Sequence, residues 1–198
     1  MKQEMSLKKT LPEHVLKLRK EFPEKKLRVF AMDECRLGLM PIFRYVWAPK
    51  GKRPIVDIYP RYKWFYVFSG VEPTTGENFS LICDGVSLEM MQYWLNEFSK
   101  TLKEDEICLL TMDQAGWHNG KGLRIPDNIF LLFQPPYSPE CNPAERLWTW
   151  IRERLANKVF KDLDELKDTT MNIINDWDKY KPILKSWLCY HWWQEAQI

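Results

Sequence analysis

No apolar run in this chain approaches the roughly 20 residues that a membrane helix needs. The opening stretch MKQEMSLKKT has no apolar centre of the kind a secretion signal carries. The five cysteines, at 35, 83, 108, 141 and 189, are odd in number and scattered, with no C-x-x-C pair. That spacing argues against a zinc site and fits a reducing, cytoplasmic compartment, with cysteine used as a small core residue. Glycine and proline do not gather into low-complexity segments, and no internal repeat is visible.

What is present suits a packed globule. The 198 residues are 45 % hydrophobic, ten of them tryptophan. One domain, or one domain with a small appendage, is expected. The net charge of +2 hides a division. Residues 1–63 hold 16 Lys/Arg and 7 Asp/Glu, whereas residues 64–198 hold 13 and 20. A basic front and an acidic rear point to a polyanionic partner, or to nothing more than a solvated basic tail.

Residues 10–22 read as a short helix, with Thr10 and Glu13 as a capping box and Pro12 in its first turn. It is too short for a helix-turn-helix reader, so residues 1–26 are expected to be a basic linker or docking helix. Apolar strands follow at 27–33, 62–71 and 78–86, with a two-stranded excursion between the first two around the turn 49–52. Ser87 caps a helix with Leu88, Met91, Leu95, Phe98 and Leu102 on one stripe. A fully apolar strand at 106–113 comes next, parallel to a neighbour and buried on both faces. After a further strand at 129–134, helices begin near Asn142 and at the Asp162/Glu165 box, and the Trp-rich tail is helical. This order predicts an α/β fold, a mixed five-stranded sheet flanked by helices on both faces.

Two of the apolar strands end on Met-Asp, in VFAMDE (29–34) and LLTMDQAGWH (109–118). If those strands are adjacent and parallel, their ends lie about 4.8 Å apart. Asp33 and Asp113 would then face each other at the C-terminal edge of the sheet, where open α/β sheets place ligands. Left alone they repel and raise each other's pKa, and a divalent cation resolves the conflict. Glu145 is the candidate third acid. It lies at the margin of the stripe formed by Ala144, Leu147, Trp148, Ile151 and Leu155, with Arg152 returning to nearly the same side two turns on. The plain alternatives are turn-forming aspartates and a glutamate that offsets its helix dipole. Three clustered acids would repel without metal, so Asp113→Asn is expected to melt above the wild type in chelator.

The segments AMDE (31–34), VWAPKGKRP (46–54), MDQAGWH (112–118) and PPYSPECNPAERLWTWIR (135–152) are similar to the catalytic domain of mariner-type DDE transposases of the bacterial insertion-sequence branch. The similarity runs from about Leu27 to Phe160. It implies an RNase H-like fold for 27–198, with C-terminal helices, and two Mg²⁺ or Mn²⁺ ions held by Asp33, Asp113 and Glu145. It also implies metal-dependent cleavage of transposon ends and joining of the freed 3′-hydroxyl to target DNA. Such a protein would act in the bacterial nucleoid, as a homodimer. Departures are Gln114 after Asp113 in place of the usual Asn, Cys141 in place of an aliphatic residue, and a slightly short Asp113–Glu145 spacing. No DNA-reading domain precedes Leu27, so a separate N-terminal recognition domain or reading frame is expected.

His118 sits in the loop over the proposed site, either to contact a phosphate or a bound water, or as a loop hydrogen-bonder. Gln114 and Asn142 are further candidates beside the acids. Glu34 should point to the opposite strand face and pair with a basic residue. Lys50, Lys52, Arg53, Arg61 and Lys63 form the densest basic cluster, and with Arg146 and Arg152 they are the candidate DNA contacts. Trp47 and Trp64 flank that cluster, either packed in the core or free to stack on a base. Two other readings stand: a different RNase H-like nuclease with a fourth acid, for which Asp84 is the only candidate, and a non-catalytic descendant that binds DNA or dimerises.

Overall fold

The strands are β1 (Lys26–Gly38), β2 (Trp64–Glu72), β3 (Glu77–Cys83), β4 (Glu106–Met112) and β5 (Ile129–Phe133). They form one mixed sheet in the order β3-β2-β1-β4-β5, in a computed structural model that describes residues 2–55, 58–118 and 122–197. β1 pairs antiparallel with β2 and parallel with β4, and β5 continues parallel beyond β4. The helices are α1 (Lys2–Glu21), α2 (Leu88–Thr101), α3 (Ala144–Leu155), α4 (Leu163–Asn175), α5 (Trp177–Leu188) and α6 (His191–Glu195).

The period of two along β1 divides the core. Val29, Ala31, Cys35 and Leu37 join α1 and α3 to α6 on one face, while Phe30 and Met32 pack with α2 on the other. β4 is buried along its whole length, as expected for a strand between two parallel neighbours. Ser87 caps α2 by accepting from the Met90 N–H, and Asp162 caps α4 by accepting from the Glu165 N–H. On β2, Gly70 lies beneath Trp94, and a Cβ there would meet the indole at 2.9 Å.

Three expectations are corrected. α1 begins two turns before Thr10, so Pro12 lies inside it and Thr10 Oγ donates to the Leu7 carbonyl instead of capping. Burial of Leu7, Leu11, Val15 and Leu18 against the sheet overrides the local stop signal. β1 does not stop at Asp33 but runs on to Gly38, paired with β2 alone after its last β4 partner at Ala31. Among the described residues, 40–63 contain no strand, and Val56 and Asp57 lie outside them. Only the turn forms, closed by Lys52 N–H on the Pro49 carbonyl with Gly51 at φ 81°. Prolines at 41, 49, 54 and 60 remove the donors a hairpin would use.

Candidate active site

The early end of β4 opens the site. Past Ala31 the β4 side of β1 has no strand, and Asn142 donates its amide to the Met32 carbonyl there at 3.0 Å. Asn142 also accepts from the Ala144 N–H at 3.0 Å, which fixes the start of α3 over the gap. Asp33 of β1, Asp113 directly after β4 and Glu145 in the first turn of α3 all line the resulting cleft, about 490 Å³ in volume. Among the described residues, no lysine or arginine lines it. Gln114 is at its wall, donating to the Gln134 carbonyl at 2.9 Å.

Each acid has a different environment. Asp33 Oδ2 accepts from the Trp148 indole N–H at 2.7 Å. Burial outweighs that bond, and the fields of Glu145 and Glu34 add to it, pushing the Asp33 carboxyl up to about 7. Glu145 is also raised, by burial first and by Asp113, with Arg152 opposing. Asp113 moves the other way. Its Oδ1 accepts from His118 Nδ1 at 2.6 Å and from the Ala115 N–H at 3.0 Å, and the His118 bond holds it below the usual carboxylate range.

His118 is fully buried between two carboxylates, with Nε2 donating to Glu34 Oε1 at 2.7 Å. Burial lowers its pKa, but the bonds to Asp113 and Glu34 prevail and lift it to about 10. Glu34 also accepts from the Trp117 indole N–H at 3.0 Å. His118 is therefore a buried bridge, and Glu34 does face away from Asp33 and take a cationic partner.

The donor set suits a divalent cation. Its charged members are carboxylates, Asp33 pushed up by burial and by the fields of Glu145 and Glu34, and Glu145 by burial and the field of Asp113, in a cleft lined by no cationic side chain among the described residues. As the side chains stand, no group of three or more His, Cys, Asp or Glu among the described residues is arranged to hold one ion. Asp84 is not a fourth acid of this cleft, being exposed and paired with Lys167 at 2.7 Å.

The basic candidates separate. Lys50, Lys52 and Arg53 stand exposed on the 40–63 arm, where Trp47 is fully exposed. Arg61 is tied to the Phe160 and Lys161 carbonyls. With Lys63, Arg152, Arg36 and Trp64 it lines a second cavity of about 410 Å³ that has no acid among the described residues that line it. Arg36 lies over the Trp64 ring at 5.2 Å, so Trp64 is not a core residue either. Arg152 donates to the Cys35 thiol at 3.1 Å, a weak acceptor kept neutral because burial pushes it up to about 11. Arg146 faces the C-terminal helices, donating to the Trp187 carbonyl and stacking on Tyr190 at 3.8 Å. Sequence reasoning missed Trp148 and Arg36 in these roles. For Trp148 the available signal was an indole N–H that needs a partner when buried. Arg36 had only its place three residues after Asp33.

A family described as DDE superfamily endonuclease matches residues 28–167. The uncharacterized protein y4pE/y4sA of Sinorhizobium fredii is 40 % identical over 104 residues, covering 52 % of this chain and 77 % of that protein. Among solved structures, a pre-cleavage Mos1 transpososome aligns with TM-score 0.61 at 16 % identity, over 100 % of this chain and 62 % of that one. A Mos1 strand transfer complex gives 0.57 at 16 %, over 96 % and 63 %. A Mos1 mariner paired end complex with Mn gives 0.58 at 17 %, over 96 % and 64 %. At these identities the likeness establishes the fold, which is RNase H-like. The chain spans less than two thirds of the Mos1 chains it matches.

Proposed function

The chain belongs to the DDE superfamily endonucleases, and from that premise we propose that it is a transposase catalytic domain that cuts DNA at transposon ends and joins the 3′-hydroxyl to target DNA. The observation that carries this reading is the meeting of Asp33, Asp113 and Glu145 in one cleft where β4 ends beside β1. One Mos1 paired-end complex is described with the left transposon end, another with Mn and another with Mg. Asp33, Asp113 and Glu145 would hold two Mg²⁺ or Mn²⁺ ions. When bound, the ions would activate the attacking oxygen and stabilise the leaving one.

The chain's own contribution is charge and placement. Among the described residues the charged groups that line the cleft are all carboxylates, so the cations of the cavity lined by Arg36 and Arg152 would offset the charge of an incoming phosphodiester. Arg152, Lys63 and Arg36 would contact backbone phosphates there, and Lys50, Lys52 and Arg53 on the arm would extend the track. Such contacts carry no sequence information, so the proposal includes a separate end-recognition domain or reading frame. A homodimer acting in the bacterial nucleoid completes the reading.

The test is DNA nicking in Mg²⁺ or Mn²⁺ with purified ends and a supplied recognition domain. Wild type should nick and lose activity in EDTA, and Asp33→Asn, Asp113→Asn and Glu145→Gln should each abolish nicking. Equal activity in wild type and Asp113→Asn would refute the reading.

A further inference from the structure

The two aspartates share a pattern that the cutting reaction alone does not call for. Each has one carboxylate oxygen held by a buried ring N–H. Asp33 Oδ2 takes the Trp148 indole at 2.7 Å, and Asp113 Oδ1 takes His118 Nδ1 at 2.6 Å. Among the described residues, no side chain donates to the other oxygen of either aspartate. Both donors are themselves fixed. Trp148 is 1 % exposed and lies on α3 one turn after Glu145, so the seat of that helix places Glu145 and the Asp33 tether together. His118 is 0 % exposed at its side chain and is held from behind by Glu34 Oε1 at 2.7 Å. Glu34 is held in turn by the Trp117 indole at 3.0 Å.

We propose that Trp148, and the pair Glu34–His118, are positioning residues that each fix one oxygen of an aspartate and leave its second oxygen for a divalent cation. The inference rests on the reading of Asp33, Asp113 and Glu145 as the ion-holding acids. Its logic is that of outer partners in metal sites: a carboxylate whose rotation is stopped by a strong donor presents its remaining oxygen without an ordering cost. A carboxylate can only accept, so each ring nitrogen of His118 donates and the imidazole works as a rigid spacer from Glu34 to Asp113. Adjacent β1 residues thus govern both aspartates. Asp33 is one of them, and Glu34 reaches the other from the opposite face of the sheet.

The test is Mn²⁺ binding to the full chain without DNA, read from the EPR signal of the free ion, with melting in EDTA as the check on folding. Trp148→Phe and His118→Gln should each weaken binding about 10- to 100-fold. His118→Asn should bind more tightly than His118→Gln but less tightly than wild type, because the Asn amide nitrogen falls near the Nδ1 position and keeps the donor to Asp113 while losing the hold of Glu34, whereas that of Gln falls near Nε2. Glu34→Ala added to His118→Gln should cost nothing further, while either should add to Trp148→Phe. Equal Mn²⁺ binding by His118→Asn and His118→Gln would overturn the Glu34–His118 arm. Unchanged binding in Trp148→Phe would overturn the other arm. In both cases loss of binding in Asp33→Asn would leave the acids' own role standing. Wild-type binding in Asp33→Asn and Asp113→Asn would overturn the reading of the acids and this proposal with it.

Discussion

Asp33 and Asp113 have similar surroundings in the sequence and opposite electrostatics in the fold. Asp33 releases its proton near 7 in the folded chain, against roughly 4 when unfolded. Folding therefore retains the proton, and the metal-free fold loses stability as pH rises from about 4 to 7. Asp113, held low by His118, carries no such burden. The expectation that Asp113→Asn would melt above wild type therefore moves to Asp33. In EDTA at pH 8, Asp33→Asn should melt higher than wild type, by roughly 2–4 °C for each kcal/mol recovered. Below pH 5 the gap should close, as scanning calorimetry at both pH values would show, and a gap independent of pH would refute the assignment. The aspartates were legible because they follow apolar runs, and Glu145 because it borders the apolar stripe of its helix. Their partners were not, because Glu34 and Trp148 meet His118 and Asp33 only through contacts 84 and 115 residues apart in the chain.

At the scale of elements, local signals worked where local forces decide. Ser87 and Asp162 cap the helices they precede, and the apolar runs of β4 and β5 are strands. The failures lie where distant partners decide. Residues 34–38 extend β1 because β2 supplies a long antiparallel ladder, and α1 runs through Pro12 because the sheet buries its stripe. A second long-range feature of β1 is a clamp at its opening end. Arg28 donates to Glu72 at 2.5 Å and to Glu77, and its other amine stands 3.5 Å from Glu106. One guanidinium thus joins carboxylates from β2, β3 and β4. Glu72 and Glu106 are buried; Glu106 would keep Lys26 at 2.9 Å, but Arg28→Met would remove the cation that Glu72 meets away from water. Urea denaturation should show a loss of about 3–5 kcal/mol. A loss below about 1 kcal/mol, the range of a surface pair, would show that the clamp is not a buried one.

For the whole molecule, the basic front of the sequence becomes two different things. In α1 the cations ride on a helix packed against the core, whereas in the 40–63 arm Lys50, Lys52 and Arg53 stand clear of it. If the arm tracks DNA, replacing these three with alanine should weaken binding to any sequence. It should also flatten the plot of log affinity against log salt by about 0.9 for each phosphate that the arm no longer neutralises. Fluorescence anisotropy at several salt concentrations measures this, and an unchanged slope would place the DNA elsewhere. No described helix is long and apolar enough to cross a membrane.

The strand order carries a consequence in time as well as space. β1 is made before its β4 partner, which arrives some 80 residues later to complete its central position, and Glu145 follows after a further strand. A nascent chain emerges from its N-terminus onward. While it is being made it can hold Asp33 alone, then Asp33 with Asp113, and the third acid only once α3 has left the ribosome. A polypeptide interrupted at any earlier codon has no complete set of acids, so synthesis itself withholds the proposed site until most of the fold that confines it exists.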